Sequence, residues 1–297
     1  MSLLHLKCLW NVDFSLNYSY PLYWCQYLSF WFDRKNADHL VFHNTAIKVD
    51  IVFFKRDKMK TQVKKVYRRC VQRGSSNLSG VDIPSGKKLA KEFGYPSDLL
   101  KEIPASHWKT FAGCGNPWLH VKMRPKWRVL DLGCGTGIDT AVASKSLDKT
   151  GFVVGIDLVF EMVKASNALF NSYLCSERGK VSFLGAEGEY LPFKSHVFDL
   201  VVSNGVLSLL PDKRVALEDV YRVLKDGGRV IICDLVRLCP LPEYFYDLGD
   251  SWAWCMLGAP TKLELKDLLK NAGFSTIRFT WGKTFHYFAT ATAIGFK

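Results

Sequence analysis

The chain has 297 residues, 48% of them apolar, and a formal net charge of +12 from 40 Lys/Arg and 28 Asp/Glu. That length is long for one domain and short for two full ones, and the apolar fraction suits a globular protein with a sizeable core. The charge is lopsided: residues 1–128 hold 22 Lys/Arg against 9 Asp/Glu and residues 129–297 hold 18 against 19, so the neutral C-terminal half does not read as a phosphate-backbone binder. In chain order, residues 1–58 are rich in aromatics, among them Trp10, Trp24 and Trp31, and read as an N-terminal extension. Phe14 to Phe32 is uncharged, but Asn17, Pro21 and Gln26 interrupt it, so no stable membrane span is expected; no small-residue cleavage site marks a signal peptide. From Met59 the pattern becomes regular. Val63, Val66, Tyr67 and Cys70 recur at helical spacing and predict a basic amphipathic helix over 59–73. Nine Lys/Arg between Lys55 and Arg73 face only Asp57. Contact with nucleic acid or an anionic membrane surface is one reading of that run. A solvated helix face is preferred, because only Tyr67 interleaves as a stacking group, and no nucleic-acid partner is expected.

Short helices are predicted over 84–93 and after Ser97, which is placed as an N-cap, and a glycine-rich turn follows at 111–117. These segments, residues 59–125, are expected to form a helical cap over the main domain at 126–297. The main domain alternates strands and helices: strands at 127–132, 151–156, 181–184, 198–202 and 229–233, and helices at 138–147, 161–175, 213–224 and 262–271. Thr261 is placed as the cap of the last helix, and late strands are expected near 276–280 and 286–293. The fold class is therefore α/β, a Rossmann-like, doubly wound and mainly parallel sheet with an antiparallel C-terminal edge.

One constellation organises this pattern. Val129-Leu130-Asp131-Leu132-Gly133-Cys134-Gly135-Thr136-Gly137 is a buried strand turning on glycines into a helix, whose N-terminal amides favour an anionic or polar ligand. The spacing G-x-G-x-G departs from the dinucleotide fingerprint G-x-G-x-x-G and favours a nucleoside without a pyrophosphate. Twenty residues after Gly137 the second strand ends at Asp157, where a carboxylate accepts hydrogen bonds from ribose hydroxyls. The constellation resembles the class I S-adenosylmethionine-dependent methyltransferases. That resemblance implies S-adenosylmethionine as cofactor, held by Asp131, Gly133, Gly135, Thr136, Gly137, Asp157 and Met162. It further implies an adenine-binding acid in the loop 185–193, with Glu187 preferred over Glu189, and Ser203 and Asn204 at the end of the fourth strand.

Three further stretches are similar to arsenite methyltransferases: Gly113-Cys114-Gly115-Asn116-Pro117; Ser203-Asn204 followed by Pro211-Asp212-Lys213; and Cys255-Met256-Leu257-Gly258-Ala259 ahead of Ala272-Gly273-Phe274. Trivalent arsenic is soft and thiolates are its natural ligands. The resemblance makes Cys255 one such thiol and Cys70 an N-terminal one, with glutathione or another thiol as partner. Gly205 stands where that family has cysteine, and Cys114, Cys134 and Cys175 are candidates to replace it. No metal site is expected. Nine cysteines, an odd number without a Cys-x-x-Cys pair, argue against a disulfide framework and fit a reducing, cytoplasmic compartment. Two rival readings are a methyltransferase for a small organic acceptor and a catalytically silent cofactor-binding protein.

Overall fold

The computed structural model describes residues 45–74, 85–173, 180–247, 252–253 and 255–297. The chain divides into two units, Met1–Val49 and Asp50–Lys297, and the fold and site below belong to the second. Trp10, Trp24, Trp31 and Cys175 lie outside the described residues.

Helices α1 (Thr45–Arg73), α2 (Gly86–Glu92), α3 (Ser97–Glu102) and α4 (Ala105–Trp108) come first. The main domain then runs β1 (Arg128–Leu132), α5 (Ile138–Lys145), β2 (Phe152–Asp157), α6 (Phe160–Tyr173), β3 (Lys180–Gly185) and β4 (Phe198–Asn204). It continues with α7 (Lys213–Val223), β5 (Leu224–Arg237), α8 (Tyr244–Asp247), α9 (Lys262–Asn271), β6 (Thr276–Phe285) and β7 (Phe288–Phe296). The seven strands form one sheet in the order β3-β2-β1-β4-β5-β7-β6. Strands β1 to β5 are parallel, and β7 is antiparallel to both of its neighbours. This is the Rossmann-like α/β class with an antiparallel C-terminal edge. The chain winds outward from β1 to β3 and then returns to β4 on the other side of β1. A crevice opens at the carboxyl ends of the strands at that switch point.

Strand periodicity explains the two cores. Leu130, Leu132, Val154, Ile156, Val201, Val230 and Ile232 face one side, where they meet Leu217 and Val220 of α7 and Leu265 and Leu269 of α9. Their alternates Val129, Val153, Leu200, Val202 and Ile231 face the other, against Ala143 and Leu147. The cap packs Trp108, Leu99 and Leu89 onto Ile138, Ala141 and Val142 of α5. Helix α1 lays Val63, Val66 and Cys70 against Val159, Met162, Leu209 and Cys255. None of the described helices is long and apolar enough to cross a membrane.

Several expectations need correction. Helix α1 starts at Thr45, so the boundary expected after residue 58 falls inside a continuous helix, and Arg56 on its near side already pairs with Asp212. Ser97 is the first residue of α3 and makes no cap; Pro96 takes the N-cap position, its ring holding φ at −56° just ahead of the helix. Strand β5 extends well past 229–233 in both directions. It passes through Gly227 at φ +76°, and its pairing with β4 jumps from Phe198–Leu224 to Leu200–Arg229, while β7 pairs residues 229 to 237. A bulge therefore replaces the expected loop. The cap on α9 holds as expected: Thr261 accepts from the Glu264 amide and Glu264 accepts from the Thr261 amide.

Candidate active site

The glycine loop leaves β1 and is pinned to β2. The amides of Gly133 and Cys134 donate to Ile156 O at 2.8 and 2.9 Å, and the Gly135 amide donates to Asp157 Oδ2 at 2.9 Å. The Val159 amide donates to Asp157 Oδ1 at 2.8 Å, and Ser166 Oγ donates to Gly135 O at 2.8 Å. Gly133 is required by proximity, since a Cβ there would come within 2.2 Å of Val206. Gly135 is different. It holds φ +54° and nothing lies within 4 Å of the position a Cβ would take. It opens onto a cavity at the carboxyl ends of β1, β2 and β4.

The cavity brings together Gly133, Gly135, Thr136, Asp157, Met162 and Asn204 of the predicted set. Four others are placed elsewhere. Asp131 is 2% exposed and its carboxylate accepts from Thr140 Oγ1 at 2.6 Å, so it fastens β1 to α5 instead of facing the ligand. Gly137, at φ +87°, starts α5 and backs onto Ser166. Ser203 is buried and its hydroxyl has no partner. In the acidic loop it is Glu189, 3% exposed, that joins the cavity wall. Glu187 is turned to the rim, where Lys60 Nζ donates to it at 2.6 Å and stands 3.5 Å from Glu189.

Some of the lining residues that the sequence reading missed come from α1 and α5. Lys60, Val63 and Tyr67 line the cavity, as does Asp139. The first three share one face at i, i+3 and i+7, a signal that was legible as periodicity but not as a direction toward the site.

Burial pushes Asp157 up from 3.8 to about 6, against amide hydrogen bonds from Val159, Gly135 and Leu158. Three amides share its two oxygens, and a carboxylate's roughly four acceptor sites leave capacity for a ligand. An anionic acceptor, an open glycine and a buried Glu189 whose Oε1 is held only by the Lys60 ammonium at 3.5 Å make a cradle for a nucleoside with donors on its sugar and base.

The thiols sort into two places. Cys255 is 7% exposed, and its Sγ donates to Gly205 O at 3.4 Å. Cys114 Sγ lies 3.6 Å from the position a Cβ on Gly205 would take, with Gly205 at φ +74°. The two thiols therefore flank the residue that replaces the family's cysteine. Burial pushes both well above the ordinary thiol range, with Asp234 adding to the effect. Cys255 holds φ +66°, a left-handed backbone that favours glycine. Cys70 is buried on the inward face of α1 and pushed up to about 11 by burial; like Cys114 and Cys255, it is not among the residues that line the cavity. Cys134 is buried beside Ser166 and is the described cysteine that lines the cavity. Among the described residues no three His, Cys, Asp or Glu side chains converge tightly enough to hold one metal ion.

A family model described as a methyltransferase domain matches residues 124–273, half of the chain. The chain belongs to the class I S-adenosylmethionine-dependent methyltransferases, and it resembles the arsenite methyltransferases among them. The arsenite methyltransferase of Halobacterium salinarum is 34% identical over 188 residues, 63% of this chain and 47% of its own length. The demethylmenaquinone methyltransferase of Lactiplantibacillus plantarum is 40% identical over 229 residues, 70% of this chain and 92% of its own. Among solved structures, an arsenic(III) S-adenosylmethionine methyltransferase from Chlamydomonas reinhardtii superposes with a TM-score of 0.53 at 25% identity, covering 72% of this chain and 73% of that one. The chain spans about half the length of the arsenite methyltransferases it matches. The cofactor of this methyltransferase is S-adenosylmethionine.

Proposed function

We propose that the methyltransferase acts on trivalent arsenic, taken up by Cys114 and Cys255. The observation that carries this reading is the convergence of both thiols on Gly205, one 3.6 Å from its missing Cβ and the other 3.4 Å from its carbonyl oxygen. A left-handed backbone at Cys255 supports it, since a non-glycine residue kept in that conformation marks a side chain retained against strain. In the cofactor cavity Asp157 would hold the ribose hydroxyls, the 133–136 loop would line the amino-acid part with Met162 beside it, and Glu189 would take the adenine, with Glu187 at the rim. Bound there, S-adenosylmethionine supplies a methyl group made electrophilic by its sulfonium.

The protein's task is to hold the acceptor. Arsenous acid exchanges two As–O bonds for two As–S bonds, and each thiol proton leaves with a hydroxide as water. Neutral thiols suffice for this, which agrees with thiols that burial keeps protonated. The arsenic lone pair is then the nucleophile, so no general base is needed and positioning is the catalytic contribution. Glutathione fits as the thiol that delivers arsenic by exchange. The free thiols are those expected of a reducing, cytoplasmic setting.

A second reading, methylation of a small organic acceptor, is favoured by the match to 92% of the demethylmenaquinone methyltransferase. Val206, Leu209, Leu210 and Pro211 give the cavity an apolar wall that suits such a molecule. S-adenosylhomocysteine release decides between them. With arsenite and glutathione, release that disappears in Cys114→Ser and Cys255→Ser supports arsenic. Release only with a naphthoquinol refutes it. No release with any acceptor leaves a protein that binds its cofactor without turnover.

A further inference from the structure

Asn204 ends β4, and the family resemblance places it among the cofactor contacts. Its hydrogen bonds point elsewhere. Asn204 Oδ1 accepts from the Cys114 amide at 2.7 Å. Its Nδ2 lies 3.1 Å from Gly115 O, 3.0 Å from Asp139 Oδ2 and 3.0 Å from the Tyr95 hydroxyl. The side-chain amide therefore grips the main chain of the thiol-bearing loop on both sides of the Cys114 side chain, and both of its protons are committed. Gly113 must lack a side chain for this grip, because a Cβ there would come within 2.7 Å of Nδ2.

Asp139 holds the other end. Its Oδ1 accepts from the Tyr95 hydroxyl at 2.6 Å and from Trp118 Nε1 at 2.7 Å. It stands in the first turn of α5, two residues beyond the glycine loop, and is 7% exposed. Tyr95 is 4% exposed and also reaches Gly115 O at 3.3 Å. A buried carboxylate satisfied by three donors fixes all three, because releasing any one leaves a desolvated oxygen unpaired.

We infer that Asn204, Asp139 and Tyr95 form a clamp that sets the position of the Cys114 thiol relative to the glycine loop, Asn204 and Tyr95 acting as acceptor-side positioning residues and not as cofactor ligands. The helix that starts at the cofactor loop thereby carries the anchor for the loop that holds the acceptor thiol. The two halves of the site share one rigid reference, and an error of about 1 Å in such a placement costs on the order of a hundredfold in rate. The inference rests on the arsenic reading for its chemistry, while the clamp itself is geometric.

The test uses the full chain with Asn204→Ala and the nearly isosteric Tyr95→Phe, which removes only a hydroxyl from a residue that does not itself line the cavity. Three quantities are measured: S-adenosylmethionine affinity by calorimetry, uptake of phenylarsine oxide, and hydrogen exchange at the Cys114 amide. Both variants are expected to lose about tenfold or more in phenylarsine oxide affinity and to exchange the Cys114 amide faster, and Tyr95→Phe, which leaves the cavity wall itself untouched, is expected to keep cofactor affinity within about threefold. Alanine at 204 that weakens cofactor binding while phenylarsine oxide uptake and exchange stay as in the wild type overturns the inference. Variants indistinguishable from the wild type also overturn it. If the wild type takes up no phenylarsine oxide, the arsenic reading fails, and exchange at Cys114 then decides the clamp: faster exchange in both variants supports it and unchanged exchange refutes it.

Discussion

Asp157→Asn separates what the cofactor gains from what the empty protein loses. A rise from 3.8 to about 6 in the folded state, caused by burial, corresponds to roughly 3 kcal/mol of penalty for holding the charged form. Because the folded value lies above the unfolded one, the folded state binds the proton more tightly. Its stability therefore falls as pH rises from about 4 through about 6, and the full penalty stands at neutral pH. Asparagine has no charge to bury. Its amide nitrogen, however, faces the Gly135 or Val159 amide that a carboxylate oxygen had accepted from, which returns about 1 to 2 kcal/mol. The cofactor-free variant is thus expected to be about 1 to 2 kcal/mol more stable than the wild type near pH 7.5, the gap closing as pH falls and reversing toward pH 4, where the wild type no longer pays for a charge. Asp139 and Asp234, which burial also raises, cancel in the difference between the two proteins, whereas Asp131, raised by burial and also by the Asp157 charge, is lowered in the variant. Cofactor affinity should fall by at least ~1.5 kcal/mol, more than tenfold, for the lost charge-assisted bonds to ribose. In the wild type it should weaken below pH 6, and in the variant it should not depend on that window. Urea midpoints across pH and calorimetric titration with S-adenosylmethionine measure both quantities. A variant less stable than the wild type at pH 7.5, or one with unchanged cofactor affinity, refutes the reasoning.

Gly135→Val puts a branched side chain into the open space at φ +54°; calorimetry should show no cofactor binding, while far-ultraviolet dichroism shows the sheet intact. Cys255→Gly relieves the left-handed backbone of about 1 to 2 kcal/mol while giving up a similar amount of burial and chain entropy. Its thermal midpoint should stay close to the wild type while arsenical uptake is lost; a large destabilisation would make Cys255 a packing residue only. Thr261→Ala breaks the capping box on α9 and should cost about 1 kcal/mol in chemical denaturation without touching cofactor affinity.

Residues 128 to 157 carried their own fold in the sequence. An apolar β-branched strand, a turn on three glycines, a helix and a second strand ending in an acid are local signals, and each is enforced within a few residues of itself by backbone sterics and side-chain period. The Thr261 cap was legible for the same reason. The partner of each polar group was not. Glu187 and Glu189 are two residues apart and chemically identical, and only Lys60, reaching in from α1, separates a rim acid from a wall acid. Asp131 and Asp139 are equally acidic in the sequence, yet Thr140 occupies one while Tyr95, Trp118 and Asn204 occupy the other. Cys114 and Cys255 meet at Gly205 although more than a hundred residues separate them. Hydrophobic period and turn chemistry act along the chain, so they survive in the sequence. Desolvation and hydrogen-bond pairing act through space, and they take their values only once packing has chosen which groups are shut away from water together.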